Sequence, residues 1–450
     1  MRKFVLPLLF AGCCFAGELS VKVTTDKASG IYKSGDTVAV TAVALEDGKP
    51  VSGRTVNYDL IADGGFRKRG KFVSDAAKPF VWKHKLAYPS ALRAEFTILD
   101  ANGKRVPLKR GYDQVRFAGG RIGAVADPDK ILPAGKRPAD FDAFWQKHIK
   151  RLAAVPMKEL ERKDLDKKMA HFQKKHSKAW DVKVACVDDV PVSGVLAMPK
   201  NAKAKSHPAV LLVPGAGVSS IGVYNSVNWS KLGAICLDIN AHGIPNFMPA
   251  KFYKDLQNGR LKNYYTRVYP DKDKHVFTNM VLRMLRALEY LRSLPEWDGK
   301  NLIIRGASQG GWHAIIGAAL DSKVTLCLAG VPGFADFDGE FASVKRMERM
   351  HFGLAIRNAV KSKKGDLKTM LKEQSYFDPA HFAGMIKCPT YISVGFVDLS
   401  CPTTSVYTIY NSLPGNIKKG IQPHPAGVHA TSANSIGDAE LTKLLKGTKK

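Results

Sequence analysis

Three textures of apolar and polar positions succeed one another along the chain. Between Glu18 and about Gly120 the pattern has period two, as in "LSVKVTTD", "DTVAVTAVA", "RTVNYDLIA", "FVWKHKLA" and "LRAEFTILD". Such alternation gives each strand one buried and one solvated face. Turn signals at Ser34-Gly35-Asp36, Glu46-Asp47-Gly48 and Asp100-Ala101-Asn102-Gly103 separate the runs. Short strands at this spacing predict a small immunoglobulin-like β-sandwich over residues 18–120.

The second texture, residues 121–179, is a linker followed by a helical segment. "GGRIGAVADPDKILPAGK" reads as irregular, and after Pro138 the spacing of Phe141, Phe144, Trp145 and Ile149 predicts an amphipathic helix whose aromatic face packs on the following domain. The third texture fills residues 180–450. Short apolar runs, "VKVACV", "VSGVLAMP", "AVLLVPG", "AICLDIN", "LIIRGAS", "VTLCLAGVPG" and "PTYISVGFVD", alternate with helical stretches such as "FTNMVLRMLRALEYLRSLP" and "WHAIIGAALD". That alternation predicts an α/β domain with a mostly parallel sheet covered by helices.

Composition narrows the class. A length of 450 residues with 45% apolar content suffices for two cores. The opening "MRKFVLPLLFAGCCFAG" pairs two positive charges with a short apolar run and small residues, the layout of a signal peptide over residues 1–17, so an exported, periplasmic or secreted protein starting near Glu18 is expected. The alternative is a lipoprotein whose Cys13 carries the lipid, which would anchor it to a membrane. Beyond the leader, Cys186, Cys236, Cys327, Cys388 and Cys401 lie scattered in apolar runs, with neither a disulfide framework nor a metal-ligand spacing, so no metal is expected. The net charge of +29 is spread along the whole length without an aromatic-interleaved patch, which argues against nucleic acid as a partner. A cell-surface or acidic-glycan setting accounts for it equally well.

The candidate chemistry begins where "LIIR" stops at Gly306-Ala307-Ser308-Gln309-Gly310. Strand, Gly-x-Ser-x-Gly, helix is the layout of a nucleophile elbow, so Ser308 is the candidate nucleophile. A serine hydroxyl needs a base to take its proton and an acid to orient that base. Asp398 ends the strand of "PTYISVGFVD" and is the candidate acid, with Asp336 and Asp338 as rivals and Asp378 read as a helix cap. His429, in "AGVHATSANS", follows it and is the candidate base; His424 and His313 are the weaker alternatives. The developing oxyanion requires preorganised donors, each worth about 3 kcal/mol. The backbone N–H groups of Gln309 and of Ala216, in "LLVPGAGVSS", are the candidates.

With these residues in place, the chain from about Lys136 onward resembles carbohydrate esterase family seven, the acetyl xylan esterases and cephalosporin C deacetylases of the α/β-hydrolase fold. The resemblance rests on "RPADFDAFW", "PVSGVLAMPK", "GASQGGWHAIIGAALD", "VGFVDLSCPTTSVYTIYN" and "AGVHA". It implies Ser308, Asp398 and His429 as nucleophile, acid and base, no cofactor, and an acetylated oligosaccharide or polysaccharide as substrate. The chain departs from the family in three places. Pro214-Gly215-Ala216 stands where His-Gly-Tyr is usual, Trp312 where a small residue is common, and the β-rich front domain is absent from the shorter members, whose ring-shaped hexamer leaves a homo-oligomer open here. Trp312 is on that account a candidate substrate-binding residue. Three other readings stand beside deacetylation of xylan: an esterase for longer acyl chains, a deacetylase of another glycan such as an O-acetylated sialoside, and a non-catalytic glycan-binding surface protein on a hydrolase scaffold. The complete set of serine, acid and histidine speaks against the last.

Overall fold

The computed structural model describes residues 18–112, 115–267, 271–347, 352–362 and 365–447. The leader and Cys13 lie outside them. Among the described residues no helix is long and apolar enough to cross a membrane.

The carboxyl-terminal two-thirds is built on a nine-stranded sheet. Across the sheet the strands run Glu159–Asp164, Ser177–Val184, Val192–Pro199, Ile235–Asn240, His207–Val213, Trp297–Ala307, Leu326–Gly330, Thr390–Gly395 and Lys419–His424. The first three pair antiparallel, and the six from Ile235–Asn240 onward are parallel. The central strands are buried along their whole length because helices cover both faces, which is why they read as apolar runs without alternation. Val276–Ser293 and Gln309–Leu320 are among the helices packed on the central strands. This mixed sheet and its helices form an α/β-hydrolase fold.

Two edge strands, Glu159–Asp164 and Lys419–His424, had no apolar run to announce them. Both are largely exposed or half-buried, so polar residues suffice there. The helix predicted after Pro138 spans Phe141–Ala153, and Phe141, Phe144 and Trp145 are buried. They pack on Tyr376, Phe377 and Phe382 of the same domain.

The amino-terminal part holds a four-stranded and a five-stranded sheet, packed face to face over Val38, Val40, Leu60, Leu92 and Phe96. The five-stranded sheet includes Phe66–Val73, which the pattern did not foretell because its residues alternate between exposed and half-exposed. It also includes Gly119–Ala126, and here the expectation of an irregular linker from residue 121 is corrected: the strand pairs with Ser90–Ile98 and continues the sheet to Ala126. Its last five residues are all buried, because one face meets the sandwich core and the other meets the carboxyl-terminal part. Ile61, Ala91, Val125 and Ile131 belong to the larger core, so the two parts share one hydrophobic interior. Gly30 and Gly123 lie against Phe396: a Cβ on Gly123 would stand 2.4 Å from the Phe396 carbonyl oxygen. Only glycine allows that approach.

Candidate active site

The strand Trp297–Ala307 ends at Ser308, whose backbone adopts φ 60°, ψ −121° immediately before the helix Gln309–Leu320. For a non-glycine residue this is a strained conformation, and the surrounding backbone holds it. The Ser308 N–H donates to the Gly330 carbonyl at 2.9 Å, and its own carbonyl accepts from Trp312 and Gly333 N–H at 3.0 and 3.1 Å. The glycines around it serve proximity: a Cβ on Gly306 would meet the Gly310 backbone at 2.5 Å, and one on Gly310 would meet the Val213 oxygen at 2.2 Å.

Asp398 follows the strand Thr390–Gly395, and His429 lies in the loop after Lys419–His424. His429 Nδ1 is 2.7 Å from Asp398 Oδ2. The other carboxylate oxygen accepts from the N–H groups of Ser400 and Cys401 at 2.8 and 3.0 Å, so Asp398 is buried yet satisfied. The loops of Asp398 and His429 are joined by backbone bonds: Phe396 N–H to the His424 carbonyl at 3.0 Å and Val397 N–H to the Gly427 carbonyl at 3.2 Å. The base loop is bonded on its other side to the sandwich, where Gly123 N–H reaches the Pro425 carbonyl at 2.8 Å.

Ser308 and His429 line one cavity of about 270 Å3, together with Gly215, Ala216, Pro332, Phe334 and Cys401. Gln309 is the first residue of its helix, where backbone N–H groups have no partner within the helix and can turn to an anion. Ala216 sits across the cavity on the loop after the strand His207–Val213. Among the described residues, Asp398, Cys401 and His429 offer ligand atoms within 4.8 Å of one another. The carboxylate is already engaged by the imidazole and two amides.

No motif or spacing pointed to Tyr264. Its hydroxyl accepts from Gly217 N–H at 2.9 Å and donates to Gln309 Oε1 at 2.9 Å, linking the loop of Ala216 to the first residue of the elbow helix. His242 completes the clamp, with Nε2 3.0 Å from the Gly217 carbonyl and its ring edge-on to that of Tyr264. Burial lowers the His242 pKa to about 4, so the imidazole is neutral, and its Nε2 carries the hydrogen that the carbonyl accepts.

The rival residues lie elsewhere. Asp336 pairs with Arg346 and accepts from Ala134 N–H; Asp378 caps the helix Pro379–Ala383; His424 Nε2 bonds the Ala433 carbonyl. Asp338 lies beside Gly135 and lines a cavity other than that of Ser308. His313 is wholly buried in the elbow helix, and burial depresses its pKa to about 3. The candidate substrate contact at Trp312 is corrected. Its side chain is 0% exposed, its Nε1–H donates to the Phe377 carbonyl at 2.7 Å, and its ring packs on Phe277 and Phe334. It points into the domain because the helix behind the elbow faces the core, and it reaches the cavity only through Phe334.

A serine on a strained strand-to-helix turn, sharing a cavity with an Asp-His pair from later strand ends, is the arrangement of the serine hydrolases built on the α/β-hydrolase fold. The chain belongs to the acetyl xylan esterase (AXE1) family, whose sequence model matches residues 129–444. It is 32% identical over 306 residues to the acetyl esterase Axe7A of Xylanibacter ruminicola; the match covers 66% of this chain and 65% of that one. Two solved structures share the fold. Acetyl xylan esterase 1 from Thermoanaerobacterium sp. superposes with a TM-score of 0.58 at 19% identity, over 71% of this chain and 97% of that one. The acetyl xylan esterase from Paenibacillus sp. R4 gives 0.60 at 21% identity, over 71% and 98%.

Proposed function

We propose that the protein is an exported serine esterase that removes acetyl groups from acetylated carbohydrates. The observation that carries this reading is the 2.7 Å contact between His429 Nδ1 and Asp398 Oδ2 on the wall of the cavity that holds Ser308. The carboxylate keeps the hydrogen on Nδ1, which leaves Nε2 as the base. Ser308 Oγ attacks the acetyl carbonyl while Nε2 takes its proton. The oxyanion is held by the N–H groups of Gln309 and Ala216. The tetrahedral intermediate collapses, the sugar alcohol leaves with the proton from His429, and Ser308 carries the acetyl group. Water then attacks, again with His429 as base, and acetate departs with Ser308 restored.

Family membership and the acetyl esterase relative support acetyl as the acyl group, and the small cavity beside Ser308 suits it. Export rests on the leader-like first 17 residues. The test is acetate release from acetylated xylan, O-acetylated sialosides and cephalosporin C by the wild-type protein and by Ser308→Ala, alongside p-nitrophenyl acetate, butyrate and octanoate. The expected result is acetate release that the substitution reduces by at least about 10³-fold. Release that survives Ser308→Ala, or a preference for octanoate, would overturn the reading.

A further inference from the structure

Two cavities beyond the catalytic one adjoin each other. One, of about 450 Å3, lies between the sandwich and the catalytic half, with Arg67 and Arg93 on one wall and Lys345, Arg346 and Arg357 on the other. The second, of about 690 Å3, is walled by Lys136, Arg137, Lys368 and Lys372. Phe341 and Leu367 line both, so the two form one groove. Among the described residues, nine cations line it against three carboxylates, those of Glu340, Asp140 and Asp338.

The arginines are structural as well as cationic: Arg67 holds Asp59, Arg93 holds Glu95, Arg137 holds Asp142, Arg346 holds Asp336 and Arg357 holds Glu340. The lysines differ. Lys136, Lys345, Lys368 and Lys372 are exposed and take part in none of the ion pairs formed among the described residues. Their charge is available to a ligand.

The groove also has a fixed relation to Ser308. The segment after the strand Leu326–Gly330 lines the catalytic cavity with Pro332, Phe334 and Ala335, then lines the groove with Glu340 and Phe341. From Ala335 to Glu340 an extended chain spans at most about 18 Å. The wall of the groove at Glu340 therefore lies no farther than that from the wall of the cavity at Ala335.

We propose that this groove binds the anionic sugars, uronate or sulfate-bearing, of the polysaccharide whose acetyl ester enters the Ser308 cavity. The three carboxylates set among the cations favour anions spaced along a glycan over the phosphate at every residue of a nucleic acid. The link to the ester rests on the proposed esterase function, whereas the preference for anions does not.

The experiment uses Ser308→Ala protein and ester-free ligands, so a failure of the esterase reading leaves its outcome untouched. Binding of labelled polygalacturonate, dextran sulfate, neutral dextran and single-stranded DNA is measured at near-physiological salt, where surface charges more than about 8 Å apart are largely screened. At least one of the two anionic glycans should bind tenfold or more tightly than dextran, and which one does identifies the anion. Lys136→Gln/Lys368→Gln/Lys372→Gln should weaken that binding at least tenfold. A control that removes the same charge from exposed lysines near the starts of the central strands His207–Val213, Trp297–Ala307 and Leu326–Gly330, opposite the strand end that leads to Ser308, Lys205→Gln/Lys300→Gln/Lys323→Gln, should weaken it less than twofold. Equal losses in the two triple variants, or no preference over dextran, would overturn the proposal. DNA bound as tightly as the anionic glycan would make the groove a nucleic-acid surface and overturn it too.

Discussion

The backbone N–H of Gly123 donates to the carbonyl of Pro425 at 2.8 Å, and through that bond a strand of the β-sandwich holds the loop that carries His429. Gly123 also lies against Phe396, two residues before Asp398. The loops of Asp398 and His429 thus rest on a part of the chain that precedes the matched family region.

Gly123→Ala places a Cβ where the Phe396 carbonyl oxygen and Cβ would stand 2.4 and 2.6 Å away. The acid and base loops must shift, and small misplacements of reacting groups cost roughly 10- to 100-fold in rate. Steady-state kinetics on p-nitrophenyl acetate should show that loss in kcat with KM little changed. An unaltered kcat would mean that the sandwich does not position His429.

Tyr264→Phe removes the hydroxyl that bridges Gly217 N–H and Gln309 Oε1. The loop of Ala216 and the elbow helix then lose their common tie, while Ser308, Asp398 and His429 keep theirs. Because a whole oxyanion donor is worth 10²–10³ in kcat, a displaced one should cost roughly tenfold, again without a matching rise in KM. Parallel measurement of kcat and KM checks this.

Trp312→Phe leaves the Phe377 carbonyl without its donor and opens space among Phe277, Phe334 and His313. A lost buried hydrogen bond and incomplete packing together cost about 2–4 kcal/mol. Thermal unfolding should show the destabilisation, and the ratio of acetate to butyrate hydrolysis should stay at the wild-type value. A changed ratio with an unchanged melting temperature would return Trp312 to the substrate side.

Acid should destabilise the fold near pH 5. Burial lowers the pKa of His242 and His381 to about 4 and that of His275 and His313 to about 3. Unfolded histidine titrates near 6.5, so between about 4 and 6.5 the unfolded chain binds these protons and the native one does not, and stability falls as pH drops. Asp63 and Asp238 oppose this, since burial pushes them up to about 6 and 7, and the native chain keeps protons that the unfolded one releases above about 4. Four imidazoles outweigh two carboxyls at pH 5. The melting temperature should therefore decrease from pH 6.5 to 4.5; a rise over that interval would contradict the sign.

How much of this could be read in the sequence follows from where each residue lies. The central strands His207–Val213, Ile235–Asn240 and Leu326–Gly330 are covered on both faces and had to be apolar throughout. The edge strands Glu159–Asp164 and Lys419–His424 carried no such constraint, and the pattern was silent. Ser308 was legible because a strained turn between close-packed elements admits only small neighbours, and Asp398 and His429 because their order and strand-end positions go with it. Tyr264 was not, since its partners lie 47 and 45 residues away and only the fold brings them together. Trp312 was misread for the same reason: a helix next to a site has an inner face, and the sequence does not say which residues take it.

The strand Gly119–Ala126 contributes side chains to the interiors of both halves at once. A change of texture in the sequence near residue 120 therefore marks no line along which the protein can be cut. Severed there, the carboxyl-terminal part would keep Val125 but present an apolar scar where Ile61 and Ala91 had been, and recombination could not hand it on as a self-sufficient module.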